Sequence, residues 1–468
     1  MPQNWKTYSL ADMTSVITKG TTPSTYGYNF EEDGINFIKS ESLNYDGRVD
    51  IDAFAKISEE AHEKLRRSQL KEKDILFSMA GAYLGKTGMV KKDYCPANTN
   101  QAVGIIRIKH PEVLPKFIAL ALRNPSNVAF VNSLSGQSAQ PNINLTEIGE
   151  LSFSLPPLPI QRHIASILGA IDDKIELNLE INKTLEEMAM ALYKHWFVDF
   201  GPFKQTPNPS QEKHTPNPSQ EGNYIGEKSI DTTQIHPRGG QGGVMYENTP
   251  VFGSGKFVNS ELGMIPEGWE VKKLKEISSI NANTYRNGEL PNIIKYVDIS
   301  SVKTGSIEGL KKIYKEEAPS RARRKVFDGD TLWSSVRPNR KSYYLAIGMP
   351  TNTVASTGFT ILSSGDAPYS FLHLLSTTKE FVDYLVRNSR GAAYPAVTGK
   401  DFENYLIAWP GSEIVNSFHS IASPLLELKS QNDIESQNLV EIRGTLLPKL
   451  ISGEVQVKEA EEEVSKVV

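Results

Sequence analysis

"LPPLPIQRHIASILGAIDDKIELNLEINKTLEEM", Leu155 to Met188, decides how the chain divides. Each proline fixes its own φ and drives the residue before it out of the helical region, so Leu155-Pro156-Pro157 is a stiff, extended entry. Beyond it, apolar and amide residues keep three- and four-residue spacing. Leu168, Ile175, Asn182 and Ala189 take one heptad position, and Ile164, Ile171, Asn178, Leu185 and Leu192 take the other. That spacing predicts a coiled-coil seam. So long a helix in mid-chain either fills a core or holds two bodies apart.

A second helix is expected near the end of the chain. Leu425, Leu428, Asn432, Glu435, Leu439, Ile442 and Leu446 repeat the alternation, with Pro424 read as lying near the helix start, where proline is tolerated. The two stripes can bury each other, with Asn178, Asn182 and Asn432 in or beside the seam, where a buried amide weakens packing but fixes register. The alternative is that each helix packs on its own globular domain.

With 468 residues the chain is too long for one core, which predicts at least two domains. Its formal charge of -4 lacks the basic excess of an obvious nucleic-acid binder, so any such surface must be a local patch. Cys95 is the only cysteine, which excludes an intrachain disulfide and makes the cytoplasm the default compartment. Met1 to Leu10 contains no apolar h-region, and no apolar run approaches the ~18 residues a membrane span needs, so neither export nor insertion is predicted.

The sequence also repeats itself. "NWKTYSLADMTSVI" around Trp5 is echoed by "GWEVKKLKEISSI" around Trp269, and "KEKDILFSMAG" by "FDGDTLWSSVR", pairing Asp74 with Asp330. Gly104 pairs with Gly358, Pro141 with Pro395 and Pro156 with Pro410, and 358 − 104, 395 − 141 and 410 − 156 are each 254. Order and spacing persist while side chains diverge, as expected of two copies of one domain with different targets. Between them, "TPNPSQE" occurs twice, from Thr206 and Thr215, in a Pro-, Gly- and Gln-rich stretch that predicts a flexible linker. "VKEAEEEVSKVV" at the end predicts a frayed acidic tail.

Catalytic patterns fail. "AGAYLGKT", Ala80 to Thr87, passes a relaxed phosphate-loop pattern, but "GMVKKDYCPAN" after it is unsuited to the helix such a loop must open. Phe252-Gly-Ser-Gly lies in the linker, Pro156-Pro157 lacks the flanks of an amino-methyltransferase loop, and no histidine has a partner at metal-ligand spacing. Glu427-Leu-Lys falls on a predicted helix and reads as a solvated face. Binding signals are stronger. Lys311 to Lys341 holds ten Lys/Arg against four Asp/Glu, and "SSVRPNRKSYY" within it brings Arg337, Asn339, Arg340 and Lys341 together with Tyr343 and Tyr344. Arg and Asn can read guanine and adenine edges, while Lys suits phosphates. The corresponding stretch of the first copy, "SMAGAYLGKTG", offers Tyr83, Lys86 and Thr87.

The stretch Leu155 to Phe200, "SELGMIPEGW" from Ser260, "LLPKLISGEV" from Leu446 and the "DILFS…GKTG" of the first copy resemble hallmark segments of the DNA-specificity subunits of type I restriction-modification systems. The resemblance covers nearly the whole chain. It implies an α+β fold with two homologous target-recognition domains in an internal repeat, separated by two long antiparallel coiled-coil helices. Each domain would read one half of a split double-stranded DNA site. The helices would dock two methyltransferase subunits, which recruit restriction subunits. S-adenosylmethionine, ATP and Mg are then expected on those partners, with no cofactor, metal or catalytic residue on this chain. The expected divisions are 1–155 (first recognition domain), 156–200 (central spacer helix), 201–260 (linker), 261–412 (second recognition domain), 413–453 (C-terminal spacer helix) and 454–468 (tail).

Candidate DNA contacts in the first domain are Lys19, Thr21, Lys39, Ser78, Tyr83, Lys86, Asn100, Gln137 and Gln140. In the second they are Lys303, Ser334, Arg337, Asn339, Arg340, Lys341, Arg390 and Tyr394. The helix-pair interface is assigned to Ile164, Leu168, Ile171, Ile175, Asn178, Asn182 and Leu185 with Leu425, Leu428, Asn432, Leu439 and Ile442. Two other readings stay open: a P-loop NTPase using Lys86 and Thr87, and a coiled-coil scaffold that never touches DNA.

Overall fold

The computed structural model describes residues 5–134, 142–204, 255–286 and 288–465. Both TPNPSQE copies lie outside the described residues. The chain forms two compact units, Met1–Glu180 with Ile434–Val468, and Ile181–Asp433.

In the first unit, β1 (Lys6–Ser9), β2 (Thr14–Lys19), β3 (Ile35–Ile38), β4 (Ala55–Ile57), β5 (Ile75–Ser78), β6 (Thr87–Met89), β7 (Ala97–Thr99), β8 (Val103–Ile108) and β9 (Ser152–Leu155) are joined by α1 (Leu10–Met13), α2 (Glu59–Lys64), α3 (Pro115–Arg123), α4 (Pro125–Leu134) and α5 (Leu145–Glu150). The run Ile75-Leu-Phe-Ser is buried throughout, so β5 is an inner strand of the sheet β2-β8-β5-β6. A second sheet, β4-β3-β7, pairs β3 with β7 in parallel, and β1 closes on β9. Asn144 starts α5 with a reciprocal cap, its side chain taking the Glu147 N–H while Glu147 takes the Asn144 N–H.

The second unit repeats this plan. It adds the hairpin β10 (Phe257–Ser260) and β11 (Gly263–Pro266), then runs through β12 (Glu270–Lys273), β13 (Ser278–Ile280), β14 (Ile293–Val297), β15 (Lys311–Tyr314), β16 (Ala322–Lys325), β17 (Asp330–Ser334), β18 (Tyr343–Ala346), β19 (Thr353–Ser356), β20 (Phe359–Ser364) and β21 (Leu406–Trp409). Sheet β13-β20-β17-β18 matches β2-β8-β5-β6, the parallel pair β14·β19 matches β3·β7, and β12·β21 matches β1·β9. The extra strand β16 widens the second sheet. The long helix after β9 is α6 (Leu158–Phe197), and α7 (Tyr369–Thr377), α8 (Lys379–Asn388), α9 (Gly399–Glu403) and α10 (Ser412–Ser452) come in the second half. The starts of α3 and α7, α5 and α9, and α6 and α10 are each 254 apart (369 − 115, 399 − 145, 412 − 158). Even the cap recurs, with Thr398 and Asp401 holding α9 as Asn144 and Glu147 hold α5. The internal repeat is therefore one of fold and topology.

Each unit takes a segment of both long helices into its core. In the first, Ile164, Leu168, Ile171 and Ile175 join Leu439, Leu446 and Leu450 beneath Phe117 and Ile148. In the second, Leu192, Tyr193, Trp196 and Phe197 meet Val415, Phe418 and Leu426. Phe197 lies 4.9 Å from Phe418 and 4.9 Å from Phe371, in edge-to-face geometry. Truncating any of these rings to alanine would cost about 3–5 kcal/mol. The helices therefore both pair with each other and pack on the sheets, so the two sequence-based alternatives for them are not exclusive.

Three expectations need correction. Pro424 is not near a helix start, because α10 begins at Ser412 and carries the proline within its span. Leu428 is 44% exposed and takes no part in the seam, since Leu426 is the buried residue and two positions turn a helix by about 200°. Nor is the acidic C-terminal stretch frayed throughout. Val457–Val464 forms α11, whose Ala460 and Val464, four residues apart on one face, are buried in the first unit's core.

Candidate nucleic-acid interface

In the second unit the loop between β17 and β18 is closed at its base by Ser334 N–H donating to Ser342 O at 2.9 Å. Arg337 (φ 52°) and Lys341 (φ 53°) are both left-handed, a conformation that costs a non-glycine residue roughly 1 kcal/mol or more. A second loop holds Arg337 there, and Lys341 is held within its own loop by its N–H donating to Pro338 O at 3.0 Å. Arg337 N–H donates to Pro395 O at 2.7 Å and Val397 N–H to Ser335 O at 2.8 Å, while Arg390 and Ala396 exchange two backbone bonds at 2.9 Å. The clamp brings the Arg337 guanidinium over the Tyr394 ring, 4.4 Å from its centroid. Asn339, Arg340 and Lys341 are exposed beside it. Arg390 is tied to Asp401 at 3.2 Å. Burial works to raise the Asp401 pKa, but hydrogen bonds from Thr398 and the charge of Arg390 hold it below the ordinary carboxylate value. Lys303 is exposed on the neighbouring loop, where its carbonyl accepts from Tyr343 N–H at 3.2 Å.

The first unit has a smaller cluster at the equivalent place. Gly85 N–H donates to Ser78 O at 2.9 Å and Ser78 N–H to Lys86 O at 2.8 Å, which closes the β5–β6 turn. The Lys86 ammonium lies 4.6 Å from the centroid of Tyr83 and 5.3 Å from that of Tyr45. The loop leans on the next segment as its counterpart does, with an Ala80·Asn142 bridge answering Val336·Ala396. Lys19, Thr21, Lys39 and Asn100 gather around the β7–β8 turn: Thr21 N–H donates to Thr99 O at 3.0 Å, Thr21 Oγ1 accepts from Arg67 at 3.1 Å, and Asn100 accepts from Ala102 N–H at 3.2 Å. Lys39 is paired with Glu41 at 2.8 Å. Gln137 and Gln140 lie outside the described residues.

Ser78 and Ser334 do not belong to either surface. They are 0% and 2% exposed as the last residues of inner strands that are buried along their whole length, on both faces. Tyr344, which the sequence placed in the basic loop, is likewise buried on β18. The phosphate-loop reading also fails on geometry. After Ala80 the chain makes a short 3-10 turn, Gly81–Tyr83, then enters β6, so no helix N-terminus faces Lys86. Tyr45 was missed by sequence reasoning. The equivalent hairpin of the second repeat, closed by Val302·Ile307 as this one is by Leu43·Val49, reads "KTGSI" and has no tyrosine to mark the position.

The helix seam is more polar than a Leu/Ile stripe. In the first unit Arg443 donates to Asp172 at 2.7 Å, and Asn178 donates to Glu435 at 2.7 Å. In the second, Asn182 donates to Asp433 at 2.7 Å and accepts from Asn432 at 2.9 Å, and Lys429 reaches Glu186 at 3.4 Å. Within each unit the partner number falls as the α6 number rises, so the pairing is antiparallel. Ile164, Leu168, Ile171, Ile175, Asn178, Asn182, Leu185 and Leu439 are buried, and Leu425, Asn432 and Ile442 are half-buried.

Among the described residues no helix is long and apolar enough to cross a membrane, and no group of three or more His, Cys, Asp or Glu side chains could hold a metal ion.

The type I restriction modification DNA specificity domain family matches residues 2–187 and 266–443, one match per repeat and well over half the chain. The MjaIX type I restriction enzyme specificity subunit of Methanocaldococcus jannaschii is 24% identical over 98% of this chain and 95% of its own length. The HindI specificity subunit of Haemophilus influenzae is 24% identical over 97% of this chain and 100% of its own. In fold, the chain resembles the type I restriction-modification S subunit of M. genitalium, with a TM-score of 0.50 at 14% identity over 96% of each chain. The chain thus belongs to the type I restriction-modification DNA-specificity family, as a non-catalytic specificity subunit.

Proposed function

We propose that this chain reads a two-part double-stranded DNA site, one repeat per half, and presents its helix pair to two methyltransferase subunits that in turn bring restriction subunits. The observation that carries the reading is that equivalent loops of both repeats each set a basic side chain against an exposed tyrosine, Lys86 against Tyr83 of its own loop and Arg337 against Tyr394 of the loop clamped to it. Both loops are pinned by backbone bonds to a second loop, so their side chains are positioned before DNA arrives. Different residues in the two loops suit different base edges. The polar, register-fixing seam suits a spacer, because a helix advances about 1.5 Å per residue and resists bending. On this reading S-adenosylmethionine, ATP and Mg belong to the partner subunits, and the complex works in the cytoplasm.

Methylome sequencing of a host carrying all three subunits tests it. A single split motif with a fixed gap is expected. A continuous motif, or none that depends on this chain, would refute the reading.

A further inference from the structure

The loop around Asp46 in the first unit faces two ways. On one side Tyr45 stands 47% exposed, its hydroxyl donating to Leu84 O at 3.1 Å and its ring under the Lys86 ammonium. Asn44 O accepts from Thr87 N–H at 3.2 Å, which fastens the loop to β6. On the other side the Asp46 carbonyl is gripped by two guanidinium groups: Arg123, from the end of α3, and Arg443, from α10, at 3.4 Å. Both arginines also hold one carboxylate on α6, Asp172, at 2.8 and 2.7 Å. Their side chains are 9% and 8% exposed.

This network is shielded from solvent, where charged contacts act strongly and a misplaced charge is costly. Burial works to raise the Asp46 pKa, but Arg48 and Arg443 outweigh it and keep the carboxyl ionised. Gly47 has φ +83°, and a side chain there would overlap the Arg123 guanidinium, so the turn needs glycine to let the arginine close over it.

The second repeat holds its equivalent loop with different residues: Lys429 of α10 donates to Gly305 O at 2.6 Å and pairs with Asp433 on its own helix at 2.8 Å and with Glu186 on α6 at 3.4 Å. Moving by the repeat offset of 254 puts Leu426 at the place of Asp172 and Ala189 at the place of Arg443, and both are buried in the second unit's apolar core. The Asp172–Arg443 pair is thus particular to the first repeat, while a lysine grips the matching loop of the second.

We infer that Arg443, near the far end of the chain, is a positioning residue for the first half-site: through Asp172 and the Asp46 main chain it fixes the loop that places Tyr45 against Lys86. The inference rests on the proposed reading of DNA by each repeat. Recognition by the first repeat then depends on a residue outside it, so residues 1–155 alone do not determine their own precision.

The test compares the full complex containing wild-type chain, Arg443→Met, Arg443→Lys and Lys86→Gln by methylome sequencing. Arg443→Met keeps an apolar stem and leaves Asp172 paired with Arg123, so no carboxylate is stripped of its cation. It is expected to raise methylation at sites mismatched in one half about tenfold, within the range one mismatched pair is worth. That half is the one Lys86→Gln also relaxes, with the other half and the gap unchanged. Arg443→Lys, which keeps the charge without the fork, is expected to fall between. An unaltered motif, an altered gap with both halves intact, relaxation of both halves, or loss of all methylation would overturn the inference. If the wild-type chain itself gives no split motif, the proposed function fails, which is a separate result.

Discussion

Arg337 holds its guanidinium 4.4 Å from the centroid of the Tyr394 ring while its own backbone is left-handed at φ 52°. A stacked arginine keeps its donor edge free for a base or phosphate, and its rotamer is already restricted. Arg337→Ala is expected to weaken binding of the full complex to its site by about 1–3 kcal/mol and to relax one half of the motif. Competition binding with duplexes altered in either half checks this, and equal relaxation of both halves would count against it.

The repeats differ at a buried carboxylate. Asp74 is fully buried and takes both fork nitrogens of Arg107, at 2.7 and 2.6 Å. Its counterpart Asp330 is 3% exposed and accepts from Phe327 N–H and Ser363, because the place of Arg107, shifted by the 256 that separates the two aspartates, holds that serine. Burial raises the Asp330 pKa, with Asp328 adding to it and the hydrogen bonds from Ser363 and Phe327 partly opposing. A raised carboxyl contributes stability at low pH that is lost as pH rises through its folded value. Asp330→Asn is therefore expected to be neutral or stabilising at pH 8, whereas Asp74→Asn, which takes the carboxylate from the part-exposed Arg107, costs about 1.5–3 kcal/mol. Thermal melts from pH 5 to pH 8 read both.

His373, inside α7, is pushed down to about 3 by burial, with Lys429 adding to the effect. Below its ordinary pKa the unfolded chain takes up a proton that the folded chain refuses, so stability falls as pH drops from about 6.5 towards 3, by at most about 1.4 kcal/mol per pH unit. His373→Gln removes that slope. Denaturant titrations at pH 7, 5.5 and 4.5 should show the variant losing less stability on acidification than the wild-type chain.

If the helices set the gap, lengthening them lengthens the motif. Because α6 and α10 pair antiparallel, with Asn178 bonded to Glu435 and Asn182 to Asp433, four residues must enter both helices, after Glu180 and after Asp433. The added rise is about 6 Å, close to two base pairs. A gap two base pairs longer is expected in the methylome. Deleting one TPNPSQE copy should leave the gap unchanged, and a shortened gap would transfer the ruler to the linker.

The repeat and both long helices were legible in the sequence because they rest on spacing, which survives divergence of side chains. What the spacing hid was the α10 seam. Leu428 fits a heptad yet faces outward, while Lys429, Asp433 and Arg443 occupy the paired face, and a hydrophobicity pattern gives charged residues no place there. The basic loop was legible as composition, but which of its residues are exposed was not, since that depends on where β17 and β18 end. Tyr343 is half-buried and Tyr344 buried because β18 has already begun there, while Tyr394, from a distant loop, is the ring that meets Arg337.

The central claim is that each repeat reads its own half of a split site, and exchanging one repeat tests it most directly. Contacts made in separate units should contribute almost independently. Residues 1–155 are replaced by the matching segment of a related specificity subunit, the chain is expressed with its methyltransferase and restriction subunits, and the methylated motif is read genome-wide. The account predicts a new sequence in one half, with the other half and the gap unchanged. A change in both halves, or in neither, would contradict it.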